Sequence, residues 1–303
     1  MTSKTIAVVG RSGQVASALL RTAEAEGIAL AARGRPDLDL EDIQSVAKFL
    51  YETQPGVVVN AAAYTAVDKA ESEPDAAFRL NAAGPARLAV ICAAAGVPLI
   101  HISTDYVFDG VKQEAYVEDD AVRPLSVYGA SKAAGEAGVR NGCPQHIILR
   151  TSWVYDASGQ NFLTTMLRLG ATRDVLRVVD DQHGSPTHAG ALSTAILEIA
   201  RQIAEDKDPS GGGRFRSQPW GTYHITGGGV TTWHGFATEI FRLARAAGMT
   251  TPRLDPIPSS DYPMPARRPK NSVLDSRKLA GTFGVTLPSW QAGVAEAMAH
   301  SGA

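Results

Sequence analysis

Tyr128 and Lys132 stand four residues apart in a stretch free of proline, so on a helix their side chains share one face. A phenol beside an ammonium can protonate a carbonyl as hydride arrives. The nearby charge is expected to lower the phenol from its usual pKa of about 10 toward neutrality. The triplet Ser103, Thr104, Asp105 precedes this pair and follows an apolar run, which places Thr104 at the carboxyl end of a strand. A hydroxyl there can hold the substrate oxygen, although such a threonine can also serve as a helix cap or turn hydroxyl. The tyrosine–lysine spacing alone arises often by chance. Its position one strand after Thr104 is what makes it informative.

A hydride has to come from a cofactor, and the N-terminal segment has the features of a dinucleotide site. Gly10, Arg11, Ser12, Gly13, Gln14, Val15 and Ala16 follow the first apolar run and open a helical one. Gly10 permits the tight turn, Gly13 lets backbone approach a pyrophosphate, and the helix start supplies amide donors. Two glycines in a strand-to-helix turn are weak evidence alone; their place after the first strand strengthens it. The next strand ends at Arg33, with Arg35 beyond, where an acidic residue would take the ribose hydroxyls of NADH. Arginine suits a 2′-phosphate, so NADPH is favoured and NADH left open; both arginines can also be read as ordinary loop charges. Asp39, slightly downstream, can face the adenine.

These residues need a frame that brings strand ends together. Apolar runs at 5–9, 28–32, 57–59, 98–102 and 146–150 read as buried strands. Helical segments at 14–26, 74–95 and 127–140 alternate with them. The expectation is an α/β fold, a Rossmann-like doubly wound parallel sheet, with a smaller C-terminal substrate-binding lobe over the sheet's carboxyl edge. A cofactor domain over 1–155 and a lobe over 156–303 follow, with some elements of the lobe returning to the main domain. Within the lobe, helices are read at 161–170, 189–204 and 233–247, a strand at 175–179, and a mostly helical tail at 275–300. The segment DKDPSGGGRFRSQPWG reads as a surface loop or insertion.

Composition excludes several other classes. The chain has 303 residues, a formal net charge of -2 and two cysteines, Cys92 and Cys143. That charge gives no case for a nucleic-acid polymer, and two cysteines build neither a disulfide framework nor a cysteine-rich zinc site. The histidines lack metal-site spacing, so no catalytic metal is expected. No signal peptide or membrane span is read, and a cytoplasmic location is expected. Other residues invite roles. Asn81 sits in a helix interior, where asparagine is unfavourable and can tie backbone or water to the site. Ala61, Ala62 and Ala63 would let a cofactor pass. Trp153 can wall a sugar or base, or pack under the lobe. Arg267, Arg268 and Lys270 form a basic cluster suited to a diphosphate or to solvent.

Taken together, the chain closely resembles the dTDP-4-dehydrorhamnose reductases, an extended branch of the short-chain dehydrogenase/reductases. The resemblance runs through GRSGQV at 10–15, VVNAAAYTAVDKAES at 58–72, STDYVFDG at 103–110 and VYGASK at 127–132. It continues through RTSWVY at 150–155, DQHGSPT at 181–187, TTWH at 231–234 and RPKNSVLD at 268–275. The sequence DYVF after Thr104 separates it from related nucleotide-sugar dehydratases. The resemblance implies reduction of the C4 ketone of dTDP-4-dehydro-β-L-rhamnose by NAD(P)H, the last step toward dTDP-L-rhamnose. It implies Tyr128 as proton donor, Lys132 as its tuner and ribose ligand, and Thr104 as the residue positioning the carbonyl.

It also implies a cofactor site of Gly10, Ser12, Gly13, Gln14, Val15, Asp39, Leu40, Ala61, Ala62, Ala63, Thr65 and Ser152, together with Tyr128 and Lys132. Val67, Thr104, Asp105, Tyr106, Trp153, Arg267 and Arg268 would hold the nucleotide sugar. One departure stands out. Some relatives are dimers bridged by Mg²⁺ through glutamates at places that hold Ala18, Gly190 and Gln291 here, none a carboxylate. A metal-free enzyme is expected, either a monomer or a dimer not bridged by Mg²⁺. Two alternatives remain: a reductase or epimerase of another 4-keto nucleotide sugar, and a non-catalytic, dinucleotide-binding regulatory subunit.

Overall fold

A computed structural model describes residues 5–206 and 219–300. Most of the glycine- and proline-rich segment read as an insertion, 207–218, lies outside the described residues, as do residues 1–4. The first half alternates as expected: β1 (Ile6–Val9), α1 (Gln14–Glu26), β2 (Leu30–Arg33), α2 (Ile43–Thr53), β3 (Val57–Asn60), α3 (Val67–Ala70) and α4 (Pro74–Phe78). After a π-helical turn, Arg79–Ala83, come α5 (Gly84–Ala95), β4 (Leu99–Thr104), α6 (Val127–Gly142) and β5 (His146–Thr151). The second half contains β6 (Val154–Tyr155), α7 (Phe162–Gly170), β7 (Val175–Val179), β8 (His183–Gly184), β9 (Thr187–His188) and α8 (Ala189–Asp206). It closes with β10 (Gly221–His224), β11 (Thr231–Thr232), α9 (Trp233–Ala246), β12 (Arg253–Ile257), α10 (Arg277–Phe283) and α11 (Trp290–His300).

The main sheet has six strands in the order β10-β5-β4-β3-β1-β2, every pair parallel. Its unbroken apolar strands are explained by two covered faces. Val8, Val57, Val59, Ile100 and Ile147 face Leu19 of α1, Leu192 and Ile196 of α8, and Leu279 of α10. Their neighbours Ala7, Val9, Val58, Leu99 and Ile148 face Phe49 of α2, Leu88 of α5 and Val139 of α6. Each fully buried large side chain contributes roughly 1.5–3 kcal/mol. The chain order reverses between β1 and β3, opening the crevice in which doubly wound sheets bind ligands.

A second core gathers Tyr155 of β6, Leu163 of α7, Leu176 of β7, Phe236 and Ile240 of α9 and Val294 of α11, with β7 paired in parallel to β12. Three elements from beyond residue 155 return to the main domain: β10 pairs with β5, and α8 and α10 pack on the sheet. The helix read over 74–95 is corrected. It is broken by the π turn, whose Asn81 is fully buried and holds Tyr64 at both backbone atoms (2.7 and 3.0 Å) and Ser131 Oγ (3.0 Å). The strand read at 98–102 extends to Thr104, so this threonine is the strand's last residue rather than one beyond it. Part of the proline-rich stretch forms β12, where Pro256 sits in a two-stranded pairing.

Candidate active site

The carboxyl ends of β4 and β5 converge on the first turns of α6. Thr104 is buried; its Oγ1 donates to Asp105 Oδ1 at 2.9 Å and accepts from Tyr106 N at 3.2 Å. It therefore caps the short 3₁₀ turn Asp105–Val107 while also reaching the Tyr128 hydroxyl. Helix α6 starts where it does because Ser126 accepts from Gly129 N at 3.2 Å and Glu71 accepts from Val127 N at 2.8 Å. That start places Tyr128 in the first turn and Lys132 one turn on. Lys132 is buried and donates to the Ile102 carbonyl at 2.6 Å.

The electrostatics differ from the expectation of a phenol lowered by its lysine. Burial pushes Tyr128 up to about 12, with Thr104 pulling down and the Asp105 charge pushing further up. Burial also brings Lys132 down to about 8, against the pull of Glu136. Desolvation is the largest cause for both groups, and the lysine's hydrogen bond goes to a carbonyl rather than to the phenol. Asp105 is pushed up to about 7 by burial, against Ser272, Thr104 and the amides of its own turn, and its Oδ2 has no hydrogen-bond partner among the described residues.

At the crevice between β1 and β3, Gly10 has φ +117° and donates to the Arg33 carbonyl at 2.7 Å. A Cβ there would come within 3.2 Å of Ala62 N, so the glycine lets this turn meet the Ala61–Ala63 segment. Gly13 faces open space and caps α1 with no side-chain hydrogen bond, leaving the first amides of this 13-residue helix for an anion. Gln14 Oε1 is buried without a partner among the described residues, whereas Ser12 is exposed and Val15 packs against the core. These residues fit a dinucleotide pyrophosphate.

Around the end of β2 the arginines are engaged. Arg33 pairs with Glu52 at 2.6 Å over the Phe49 ring, Arg35 makes two bonds to Asp39, and Arg11 pairs with Asp37 at 2.9 Å. Asp39 also accepts Glu41 N, which, with Arg35 beside it and against burial, holds its carboxyl below the usual range. Leu40 is buried against Gly84, Thr65 is exposed, and the Ser152 hydroxyl donates to the Ser185 carbonyl at 2.7 Å.

On the lobe side, a cavity of about 520 Å³ is lined by Phe162, Met166, Trp233, Met264, Arg267 and Arg268 among others. Arg268 forks onto Asp68 at 2.7 and 3.0 Å, tying the 266–268 segment to α3, which Val67 opens. Arg267 is exposed and makes no ion pair among the described residues. Lys270 is also exposed, with its carbonyl on His183 N. Trp153 has φ +47°, a strained backbone for a large residue, and stacks on Trp233 with centroids 3.6 Å apart. Gly184 makes the room: a Cβ there would run into the Trp153 indole at 2.5 Å. Tyr106 meets Tyr128 edge-on at 5.9 Å, linking the lobe-side residues to the phenol. Asp68 and Trp233 were not singled out from sequence; their only signal was their place inside the shared motifs.

The places of the expected magnesium glutamates do not fit a hard cation. Ala18 is buried, Gln291 is exposed, and Gly190 lies where a Cβ would press on the His188 ring. No group of three or more metal-ligating side chains occurs among the described residues.

A doubly wound sheet with a glycine turn at its first strand and a Thr–Tyr–Lys set at its fourth defines a dinucleotide-dependent oxidoreductase of the short-chain dehydrogenase/reductase type. The family model for the RmlD substrate binding domain matches residues 4–302. A dTDP-4-dehydrorhamnose reductase of Sinorhizobium fredii is 45% identical over 94% of both chains, and one of Salmonella typhimurium is 42% identical over 95% of both. The solved structure of such a reductase from Bacillus anthracis, in complex with NADP, superposes with a TM-score of 0.88 at 32% identity, over 98% of this chain and 99% of that one. The Clostridium acetobutylicum structure gives 0.87 at 36%, over 97% and 98%. The chain belongs to the dTDP-4-dehydrorhamnose reductase family, within the extended short-chain dehydrogenase/reductases.

Proposed function

We propose that the protein reduces the C4 ketone of dTDP-4-dehydro-β-L-rhamnose to give dTDP-L-rhamnose, with NADPH as the preferred donor and no metal. The observation that carries this reading is the convergence of Thr104, Tyr128 and Lys132 at the end of β4. When bound, the nicotinamide supplies the hydride. Tyr128 then gives its proton to the C4 oxygen, which Thr104 holds in place. A phenol held near 12 is fully protonated at neutral pH and so ready as the acid. Lys132 sits beneath it to bind the cofactor's ribose and to stabilise the phenolate left behind.

Arg33 supports the NADPH preference because it occupies the strand end where a carboxylate would select ribose hydroxyls. Arg11 and Arg35 flank that end, each on a surface carboxylate that a 2′-phosphate can displace. The cavity lined by Arg267 and Trp233 would receive the nucleotide portion, and Trp153 the sugar.

The test mixes EDTA-treated protein with dTDP-4-dehydrorhamnose and either NADPH or NADH, following cofactor oxidation and identifying the sugar. One NADPH consumed per dTDP-L-rhamnose formed supports the reading. Conversion of the sugar without cofactor consumption would make the protein an epimerase.

A further inference from the structure

We propose that Glu136 is a positioning residue of this site: its buried carboxylate pins the face of α6 that carries Tyr128 and Lys132 in phase with Thr104 on β4. The inference rests on Tyr128 and Lys132 being the reacting pair. Tyr128, Lys132 and Glu136 follow one another at four-residue steps along α6, so they form one stripe down the helix. Three consecutive residues of β4 answer that stripe. The Ile102 carbonyl takes Lys132 Nζ at 2.6 Å, Ser103 Oγ donates to Glu136 Oε1 at 2.6 Å, and Thr104 meets Tyr128.

Glu136 is fully buried and saturated. Besides Ser103 it takes Arg150 Nε on Oε1 (2.8 Å), Arg150 Nη2 on Oε2 (2.7 Å) and Arg140 Nη1 on Oε2 (3.2 Å). Arg150 is itself held from three sides. Its Nη1 reaches the Glu118 carbonyl at 3.3 Å and His224 Nε2 at 3.4 Å, and its guanidinium lies 5.1 Å from the Phe108 ring centroid. His224, which donates Nδ1 to the Tyr116 carbonyl, is held down to about 3 by burial and Arg150, and so acts as a neutral acceptor. One carboxylate therefore couples α6 to β4 directly and to β5 and β10 through Arg150. A buried ion pair adds little net stability over apolar residues of the same volume, whereas its directed bonds fix geometry. A rotation of α6 by a few degrees would move the phenol off the substrate oxygen, and an ångström of misplacement costs about 100-fold in rate.

The same carboxylate supplies the negative charge acting on Lys132. The other titratable group coupled to that ammonium is His101 of β4, which burial keeps neutral; Arg150 and Arg140 face Glu136 itself. Burial opposes ionisation of Glu136, but Arg150, Ser103 and Arg140 outweigh it and hold the carboxyl below its usual range. Removing the charge leaves Lys132 to lose its proton at lower pH.

The experiment compares E136Q, the double variant E136L/R150M, S103A and Y128F in kcat, KM, the pH profile of kcat and thermal unfolding. For E136Q the expected result is kcat down about 10- to 100-fold with KM for the nucleotide sugar within about three-fold, and the alkaline limb moved down by about one pH unit. E136L/R150M removes the unpaired buried arginine and is expected to recover the melting temperature while kcat stays low and the limb stays shifted. If E136Q does not fold, the double variant and S103A carry the test; S103A is expected to lower kcat about 3- to 10-fold, in the same direction. Wild-type kcat and limb in a folded variant lacking Glu136, or recovery of kcat together with stability in the double variant, overturns the proposal. Wild-type turnover in Y128F would instead overturn the assignment of the reacting pair.

Discussion

Tyr128 carries the sharpest residue-scale consequence, because the structure makes it a stronger holder of its proton than a free tyrosine. Y128F removes the acid while keeping the ring that meets Tyr106 edge-on. Its kcat is expected to fall about 10²- to 10⁴-fold with NADPH binding retained, measured by steady-state kinetics beside fluorescence titration of the cofactor. Asp105 offers a stability test. Burial raises its folded pKa to about 7, above the usual 3.8. The folded protein then binds a proton more tightly than the unfolded chain, so this group's stabilisation is fully present below about pH 4 and is lost as pH rises through 7. Asp105→Asn should flatten that part of the curve and raise the melting temperature at pH 8 relative to pH 5, by roughly 2–4 °C. Melting curves for both proteins across that range check it; an unchanged slope in the variant would count against the assignment.

Among the elements, the contact of the π turn with α6 decides whether the pair faces the cleft. Asn81 takes up both backbone polar atoms of Tyr64 and bonds Ser131, on the turn of α6 between Tyr128 and Lys132. Gly135 lies against the Asn81 carbonyl with no space for a Cβ. Gly135→Ala should therefore cost about 3 kcal/mol and lower kcat, since the helix has to move away from backbone rather than from a flexible side chain. Gly281 in α10 has open space at its Cβ position and no positive φ, so Gly281→Ala should stabilise by about 0.5–1 kcal/mol and leave turnover alone. Thermal unfolding and kinetics of the two variants should move in opposite directions.

At the scale of the molecule, the second core carries Trp233 to a cavity whose other wall is the 262–268 segment, and Arg268 ties that segment to Asp68 of α3 in the main domain. The positions that hold magnesium glutamates in some relatives carry no carboxylate here, and Gly190 leaves its space to the His188 ring. Activity and sedimentation coefficient are expected to be the same, within about 20%, after EDTA treatment and after Mg²⁺ is restored, because no hard-cation ligand set is present at those positions. A rise in activity or in mass on adding Mg²⁺ would place a metal elsewhere.

The periodicity of the sequence determined the alternating strands and helices, because an unbroken apolar run between two polar helical faces has few other ways to bury itself. The proposed reacting set was legible for the same kind of reason, since Thr104 at a strand end and Tyr128–Lys132 at helical spacing are local facts. The glycine turn was legible for the same reason: Gly10 and Gly13 act through backbone conformation, which local sequence states directly. What only the tertiary structure decided depends on distance along the chain. The π turn was hidden because the apolar pattern of 74–95 runs through it, and only the contact of Asn81 with Tyr64 and Ser131 shows its purpose. The return of β10 to the sheet's edge, the fork of Arg268 onto Asp68 and the stacking of Trp153 on Trp233 join residues tens to hundreds of positions apart. The raised phenol and lowered lysine were likewise beyond the motif, because spacing reports who is near whom and burial decides what charging costs.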